Sequence, residues 1–194
     1  MPRLTRPTLD AVRAHLATQA GLPYTYADVG ATRDEREPAG FNHDHNRQHL
    51  GTGAEAFARA CDAIRAWRMF PAPLAWIEPL PIPIEVDQLA GIVIRAVGLW
   101  WLNAARIVYV IDEPRRFGFA YGTLPGHVEA GEERFLVEHL PDDSVWYDLR
   151  AFSRPRAVLV QAGKPLARVL QRRFGRLSKA SMLATVLLDA APAR

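Results

Sequence analysis

Glu132-Glu-Arg-Phe-Leu-Val-Glu-His139 and Val145-Trp-Tyr-Asp-Leu-Arg-Ala-Phe152, with Leu140-Pro-Asp-Asp143 between them, decide the fold of this chain. Phe135, Val137, Val145, Tyr147, Leu149 and Ala151 occupy one set of alternating positions, and Arg134, Glu138, Asp148 and Arg150 the other. A period of two with one apolar set and one charged set is the pattern of antiparallel strands with one dry and one wet face. The connection between them is short and turn-forming, so they read as a hairpin. Upstream, Arg115–Thr123 alternates Phe117, Phe119 and Tyr121 with Gly118, Ala120 and Gly122, and so many small residues permit strong curvature or close backbone approach. Asp112-Glu-Pro-Arg115 is a second tight connection. Further strands are expected near Ala105–Asp112, Gly91–Leu99 and Ile84–Asp87, which makes the sheet a bent meander.

The flanks of this sheet read as helical. Thr8–Ala20 places Leu9, Val12 and Leu16 on one face, with Gly21 at the stop position, and residues 1–22 are expected to be an N-terminal helical appendage. Residues 21–46 are rich in Gly, Pro, Asp and Asn, with extended character at Tyr24–Val29 and near Phe41–His49. Thr52-Gly-Ala-Glu55 matches a capping box and opens a helix to about Phe70, with Phe57, Ala60, Cys61, Ile64 and Trp67 on its apolar stripe. Pro71 and Pro73 end that helix, and Pro79, Pro81 and Pro83 impose an extended connector. From Pro155 to Leu188 an apolar stripe including Val158, Leu159, Leu166, Val169, Leu170, Phe174, Leu177 and Met182 needs a partner surface. The uncovered concave face of the sheet supplies one, and Gly163 and Pro165 predict a kink or break on the way.

A chain of 194 residues that is 49% hydrophobic and 23% charged can bury a sizeable core, and one domain spanning 1–194 is expected. Arg95, Asn103 and Arg106 interrupt the most apolar region, so no membrane-spanning segment is predicted. Met1–Thr8 lacks the apolar core of a secretory signal, which favours a cytoplasmic location. The single Cys61 falls on a helix's apolar face and reads as a buried thiol. Residues 1–153 carry 15 basic and 20 acidic side chains, whereas residues 154–194 carry 9 basic and 1 acidic. Arg168, Arg172, Arg176 and Lys179 form a cationic stripe on the last helix, but no aromatic residues interleave with it as base-stacking platforms would require. A solvated face that complements the acidic remainder is the first reading of that stripe; nucleic acid is disfavoured, and a weak contact with an anionic membrane is the sharper alternative.

The runs Leu50-Gly-Thr-Gly53, Arg116-Phe-Gly-Phe-Ala-Tyr-Gly-Thr-Leu-Pro-Gly-His127, Gly131-Glu-Glu-Arg-Phe135 and Ala151-Phe-Ser-Arg-Pro155 resemble the uncharacterised family catalogued as domain of unknown function nineteen-ninety, over roughly residues 23–188. More distantly, the order strand, helix, antiparallel meander, long helix is similar to the helix-grip superfamily of birch-pollen-allergen-like, START and polyketide-cyclase proteins. The expected fold is thus α+β, a helix-grip with a curved antiparallel sheet of about six or seven strands wrapped around a long C-terminal helix. That resemblance implies a cavity for a hydrophobic ligand, and the close family brings no assigned reaction with it.

Several residues are candidates for chemistry. The loop Thr123–Glu133 gathers His127, Glu129, Glu132 and Glu133, a set able to bind a cation or to serve as acid and base. Alternation puts Glu133 on the face of Phe135 and Val137, where a carboxylate needs a partner, and Arg106, set between apolar residues on a strand, is the expected one. Tyr121 and Tyr147 read as inward hydroxyls. The candidate ligand-binding set is therefore Arg106, Tyr121, Thr123, His127, Glu133 and Tyr147, with no cofactor and no metal expected. His43, Asp44, His45 and His49 invite a metal reading, but no compact further ligand adjoins them. Trp100 and Trp101 are expected at a turn near the cavity mouth or in the core. Phosphate-binding Gly-rich loops, dinucleotide fingerprints and nucleophile elbows do not occur. The first expected function is binding of a small apolar or amphipathic molecule. The alternative is a cofactor-independent cyclase, isomerase or hydrolase that uses Glu133 or His127, and the third is an interaction module that uses the basic terminal helix.

Overall fold

The computed structural model describes residues 2–156 and 164–188. The elements in chain order are β1 (Pro2–Arg3), α1 (Leu9–Gln19), β2 (Asn42–Thr52), α2 (Gly53–Arg65), β3 (Ala75–Glu78), β4 (Leu89–Ala96), β5 (Leu99–Glu113), β6 (Arg116–Thr123), β7 (Glu129–His139), β8 (Ser144–Pro155) and α3 (Lys164–Leu188). The strands form a curled antiparallel sheet in the order β2-β8-β7-β6-β5-β4-β3, with the short β1 paired to β5 off that path. The meander from β4 to β8 is continuous, and β2 returns to the outer side of β8. This is the α+β helix-grip arrangement.

The β7–β8 register sets Phe135 opposite Leu149 and Val137 opposite Tyr147, so the apolar set predicted from alternation does share the concave face. Phe119, Phe135 and Tyr147 are fully enclosed there with Ile64 of α2 and Met182 and Val186 of α3. Burial of each such large side chain contributes roughly 1.5–3 kcal/mol relative to exposure. On α2, Ala60, Cys61, Ile64 and the following Trp67 are buried as the stripe requires, and burial pushes the Cys61 thiol up to about 11. The indole Nε1 of Trp67 donates to the carbonyl of Ile82 at 3.0 Å, which fastens the proline-rich connector to the core.

Several expectations need correction. The strand placed at Ile84–Asp87 lies at Ala75–Glu78 instead, paired with Ile94–Gly91. Trp100 and Trp101 belong to β5, and the turn before them is Val97-Gly98, with φ of 55° and 72°. Two successive positive φ values suit the tight two-residue hairpin between Ala96 and Leu99. Helix α2 begins where expected, but Thr52 makes no side-chain cap, and the Gly53 N–H donates to the Asp143 carbonyl at 2.9 Å. The β7–β8 charged face is not wet: Arg134 is 2% and Asp148 4% exposed. Residues 24–36 fold over it, and α1 covers the neighbouring part of the convex face, where Val12 and Leu16 pack against Val93, Leu102 and Ala104.

Helix α3 rests mainly on β2, β8 and α2, with Ser178, Met182 and Val186 buried. At Gly175 an added Cβ would lie 3.2 Å from the Asn46 amide, so the absence of a side chain lets the helix approach β2 closely. Val169 is 60% exposed and does not join the apolar stripe. Pro165 is the second residue of α3, where a backbone N–H has no intrahelical acceptor to lose. Val158, Leu159 and Gly163 lie outside the described residues, as does the side chain of Leu166. Arg172 and Arg176 of the cationic stripe are exposed, while Arg168 pairs with Asp44.

Candidate functional site

A cavity of about 400 Å³ opens between the concave sheet, α3 and the segment after α2. Phe70, Ile92, Ile94, Trp101, Leu149 and Phe174 make its walls predominantly apolar. Its polar end is built mainly by β6, β7 and the loop between them.

Tyr121 on β6 and Glu133 on β7 are directly opposite in the strand register, on the concave face. The Tyr121 hydroxyl donates to Glu133 Oε2. The ring of Tyr121 is wedged beside Phe135, centroids 5.6 Å apart, and near Phe70 at 6.3 Å. Burial pushes the Glu133 carboxyl up to about 7, the Tyr121 hydrogen bond works against that rise, and the nearby Glu129 and Asp44 carboxyls add to it. Burial likewise holds the Tyr121 hydroxyl well above the usual phenol range. The accessible surface that Glu133 retains faces the cavity.

Four residues earlier on the same face, Glu129 accepts from Gln171 Nε2 of α3 at 2.7 Å, and that amide also donates to Ser153 Oγ at 2.9 Å. Burial raises Glu129, the Gln171 bond lowers it, Asp44 raises it, and the more distant Arg168 lowers it. His127 Nδ1 accepts the Glu129 backbone N–H at 3.0 Å, which leaves the proton of the neutral ring on Nε2. Burial depresses this imidazole to about 4, so it is neutral at pH 7. Thr123 lines the cavity, but its hydroxyl accepts from the Gly131 N–H at 2.9 Å and lies 2.5 Å from Thr25 Oγ1.

The structure therefore brings Tyr121, Thr123, His127 and Glu133 together around one space. Tyr147 and Arg106 stand apart from it. Tyr147 is fully buried behind the wall, 2.9 Å from Ser178 Oγ, where it ties β8 to α3. Arg106 is on the convex face: its guanidinium donates to the Leu22 carbonyl at 3.0 Å, lies 3.8 Å from Asp87 and covers the Tyr24 ring at 4.5 Å. The expected Arg106–Glu133 pair is not formed. Up to Ile107 the odd-numbered residues of β5 face inward, and a bulge between Ile107 and Tyr109 then reverses the alternation. The apolar neighbours of Arg106 packed under α1, Leu102 and Ala104, share its convex face, so apolar surroundings there do not mark the inside.

Glu132, beside Glu133, turns the other way. It accepts from Tyr26 Oη at 2.8 Å, Gly30 N at 2.7 Å, Thr32 N at 2.9 Å and the Thr32 hydroxyl. His43 and His45 share the convex face of β2, with His45 Nε2 2.7 Å from Asp148 and His43 Nε2 3.0 Å from the Pro38 carbonyl. Among the described residues, no group of three or more His, Cys, Asp or Glu converges as metal ligands would. Trp101 lines the cavity, whereas Trp100 stacks outside on Trp76 at 5.3 Å. Gln171 and Asn103 are not among the candidate site residues read from the sequence. Gln171 betrays itself only as an amide between the inward Leu170 and Phe174. Asn103 is a fully buried amide on β5 that donates to Ile92 O at 3.3 Å and accepts from Val128 N at 3.2 Å.

A curled sheet, a long closing helix and an apolar cavity with a small polar end define the helix-grip class, and comparison with solved structures agrees. An aromatase/cyclase, Zhui, from a Streptomyces species superposes with a TM-score of 0.58 at 11% identity over 78% of this chain and 97% of its own. A norcoclaurine synthase point mutant from Thalictrum flavum, solved with a transition-state analogue, gives 0.52 at 11% over 80% and 100%. These likenesses concern the fold. The chain itself belongs to the family described as Domain of unknown function (DUF1990), whose model matches residues 25–181. A UPF0548 protein of Deinococcus radiodurans is 34% identical over 184 residues, 89% of this chain and 92% of its own length. Another, from Dictyostelium discoideum, is 32% identical over 192 residues, 87% and 88% of the two chains. Among the described residues, no helix is long and apolar enough to cross a membrane.

Proposed function

We propose that this protein binds a small hydrophobic or amphipathic molecule in the cavity between the sheet and α3. The observation that carries the reading is the cavity itself: about 400 Å³, walled by aliphatic and aromatic side chains, with its titratable groups gathered at one end. Such a space falls within the size range of small-molecule sites, which combine apolar walls with a few placed polar groups. Tyr121, Glu133 and His127 are the proposed orienting residues, and Thr123 and Gln171 support them. Native mass spectrometry of protein purified without denaturation, together with titration of an environment-sensitive apolar dye, tests the reading. The wild type is expected to carry a small molecule or take up the dye, and Ala151→Phe, which projects a ring into the cavity from β8, to lose uptake at unchanged folding. A wild type that is always empty and takes up no dye would refute it.

One observation favours catalysis as a second reading. Glu133 is held at about 7 in a site sheltered from bulk water, the range in which a carboxyl both takes and gives a proton at neutral pH. On this reading the protein is a cofactor-independent cyclase, isomerase or hydrolase, with Glu133 as the acid–base group and the Tyr121 hydroxyl as its hydrogen-bonding partner. An aromatase/cyclase and a norcoclaurine synthase are among the proteins of this fold. Any turnover found in a screen should fall roughly 10²- to 10⁴-fold in Glu133→Gln with binding retained. Turnover that is indifferent to that substitution would remove Glu133 from the chemistry.

A further inference from the structure

The charge of the cavity is one-sided. Asp44, Glu129 and Glu133 bring carboxylates to its lining, and among the described residues no lysine or arginine lines it. Of the three, Asp44 is already engaged by Arg168. The remaining two, Glu129 and Glu133, sit four residues apart on the concave face of β7, each supported by one neutral donor, Gln171 and Tyr121 respectively. A carboxylate has about four acceptor sites, so both groups keep capacity to receive hydrogen bonds from the cavity side. Two acids held among apolar walls with one neutral hydrogen-bond donor each are costly to ionise, and a cation placed between them offsets that cost.

Resting on the binding reading above, we infer that the polar end of the occupant is a cation, an ammonium group seated between Glu129 and Glu133, with its apolar body along Ile92, Leu149 and Phe174. The arrangement rejects an anionic head such as a fatty-acid carboxylate, which would meet like charge with no lysine or arginine among the described lining residues. Binding of the ammonium requires an ionised Glu133. The charged and titratable groups around it are Tyr121 on β6, Glu129 on β7, and Asp44 on β2 with Arg168 of α3 nearby, while Tyr147 of β8 lies behind the wall. Affinity for an amine should therefore rise between pH 6 and pH 8.

Calorimetric titration with octylamine, 1-octanol and octanoate, three ligands with one apolar body, tests this. At pH 8 the amine is expected to bind at least about tenfold tighter than the alcohol, a difference of about 1.4 kcal/mol, and octanoate weakest. Glu133→Gln should reduce the amine preference to below about threefold, with an unchanged circular-dichroism spectrum and a cooperative melt showing that the variant is folded. Glu129→Gln should reduce it in the same direction. Octanol or octanoate binding as tightly as the amine, or an amine preference that survives both substitutions, would overturn the inference and leave the cavity as a binding site. If none of the three binds while the dye is taken up, the inference falls and the binding reading stands; if the dye is refused as well, both fall.

Discussion

Glu132 and Glu133 are neighbours on one strand, and the pleat sends them to opposite faces of the sheet. On the convex side Glu132 receives four hydrogen bonds from Tyr26, Gly30 and Thr32, while Arg134 reaches Thr32 O at 3.1 Å and Asp148 Oδ1 at 2.9 Å. On the concave side Glu133 receives one, from Tyr121, and looks into open space. Both are glutamates withdrawn from bulk water. The difference lies in how many donors the fold supplies, and it separates a carboxylate used to hold a loop from one left available to a ligand or a proton.

The sharpest way to break this contrast is Glu132→Ala. It strands the Tyr26 hydroxyl, the Gly30 and Thr32 N–H groups and the Thr32 hydroxyl, and it should lower stability by about 3–5 kcal/mol in urea denaturation. A loss below about 1 kcal/mol would mean that the convex network holds the loop only weakly. Glu133→Gln should act in the other direction. The folded-state carboxyl lies at about 7 against an ordinary 4.5, so the folded protein holds the proton more tightly. Its contribution is therefore favourable below about pH 4.5, falls as pH rises and is fully lost above about 7. The variant minus wild-type stability should rise from near its acid value to a plateau above pH 7, by at most ~3 kcal/mol. His127 has the opposite slope: lowered from 6.5 to about 4, it costs stability as pH falls through that window, in variant and wild type alike, so the difference curve isolates Glu133.

Gly122→Ala probes how the two faces fit together. An added Cβ would lie 2.2 Å from the Tyr26 hydroxyl and 2.8 Å from the Tyr24 ring, so the tyrosines that serve the convex network must shift. A loss of about 1–3 kcal/mol is expected in the same denaturation assay, with little change in cavity dye uptake. Arg168→Ala should have the smallest effect. Its pair with Asp44 is about a quarter exposed on both sides, and its loss should cost no more than ~1 kcal/mol while further raising the Glu129 carboxyl, visible by carboxyl NMR titration.

The concave half of the molecule was legible because alternation is a local signal: Phe135, Val137, Tyr147 and Leu149 announce their face within a few residues. Tyr121 and Glu133 follow from the same rule. The convex half depends on partners distant in sequence. The residues that cover Arg134 and Asp148 lie about a hundred positions upstream, in a Gly- and Asp-rich stretch with no periodicity. Ala75-Trp-Ile-Glu78 is too short, and too closely flanked by Pro71, Pro73 and Pro79, for alternation to declare a strand, which explains its misplacement among the following prolines. Arg106 was misread because apolar neighbours mark the inside of a sheet only when the outside is wet, and α1 makes this outside dry. Gln171 comes from the far end of the chain, and only the docking of α3 brings it to Glu129.

The register of β6 on β7 has a consequence for how such a site can diversify. Tyr121 and Glu133 are paired through the backbone ladder and depend on no loop for their alignment, whereas Ile92, Leu149 and Phe174 reach the cavity from other elements. Exchange of those wall residues can reshape the space for a different body without disturbing the proton-bearing pair. The pair is the part of the space fixed by the backbone register, and the apolar wall is the part free to change.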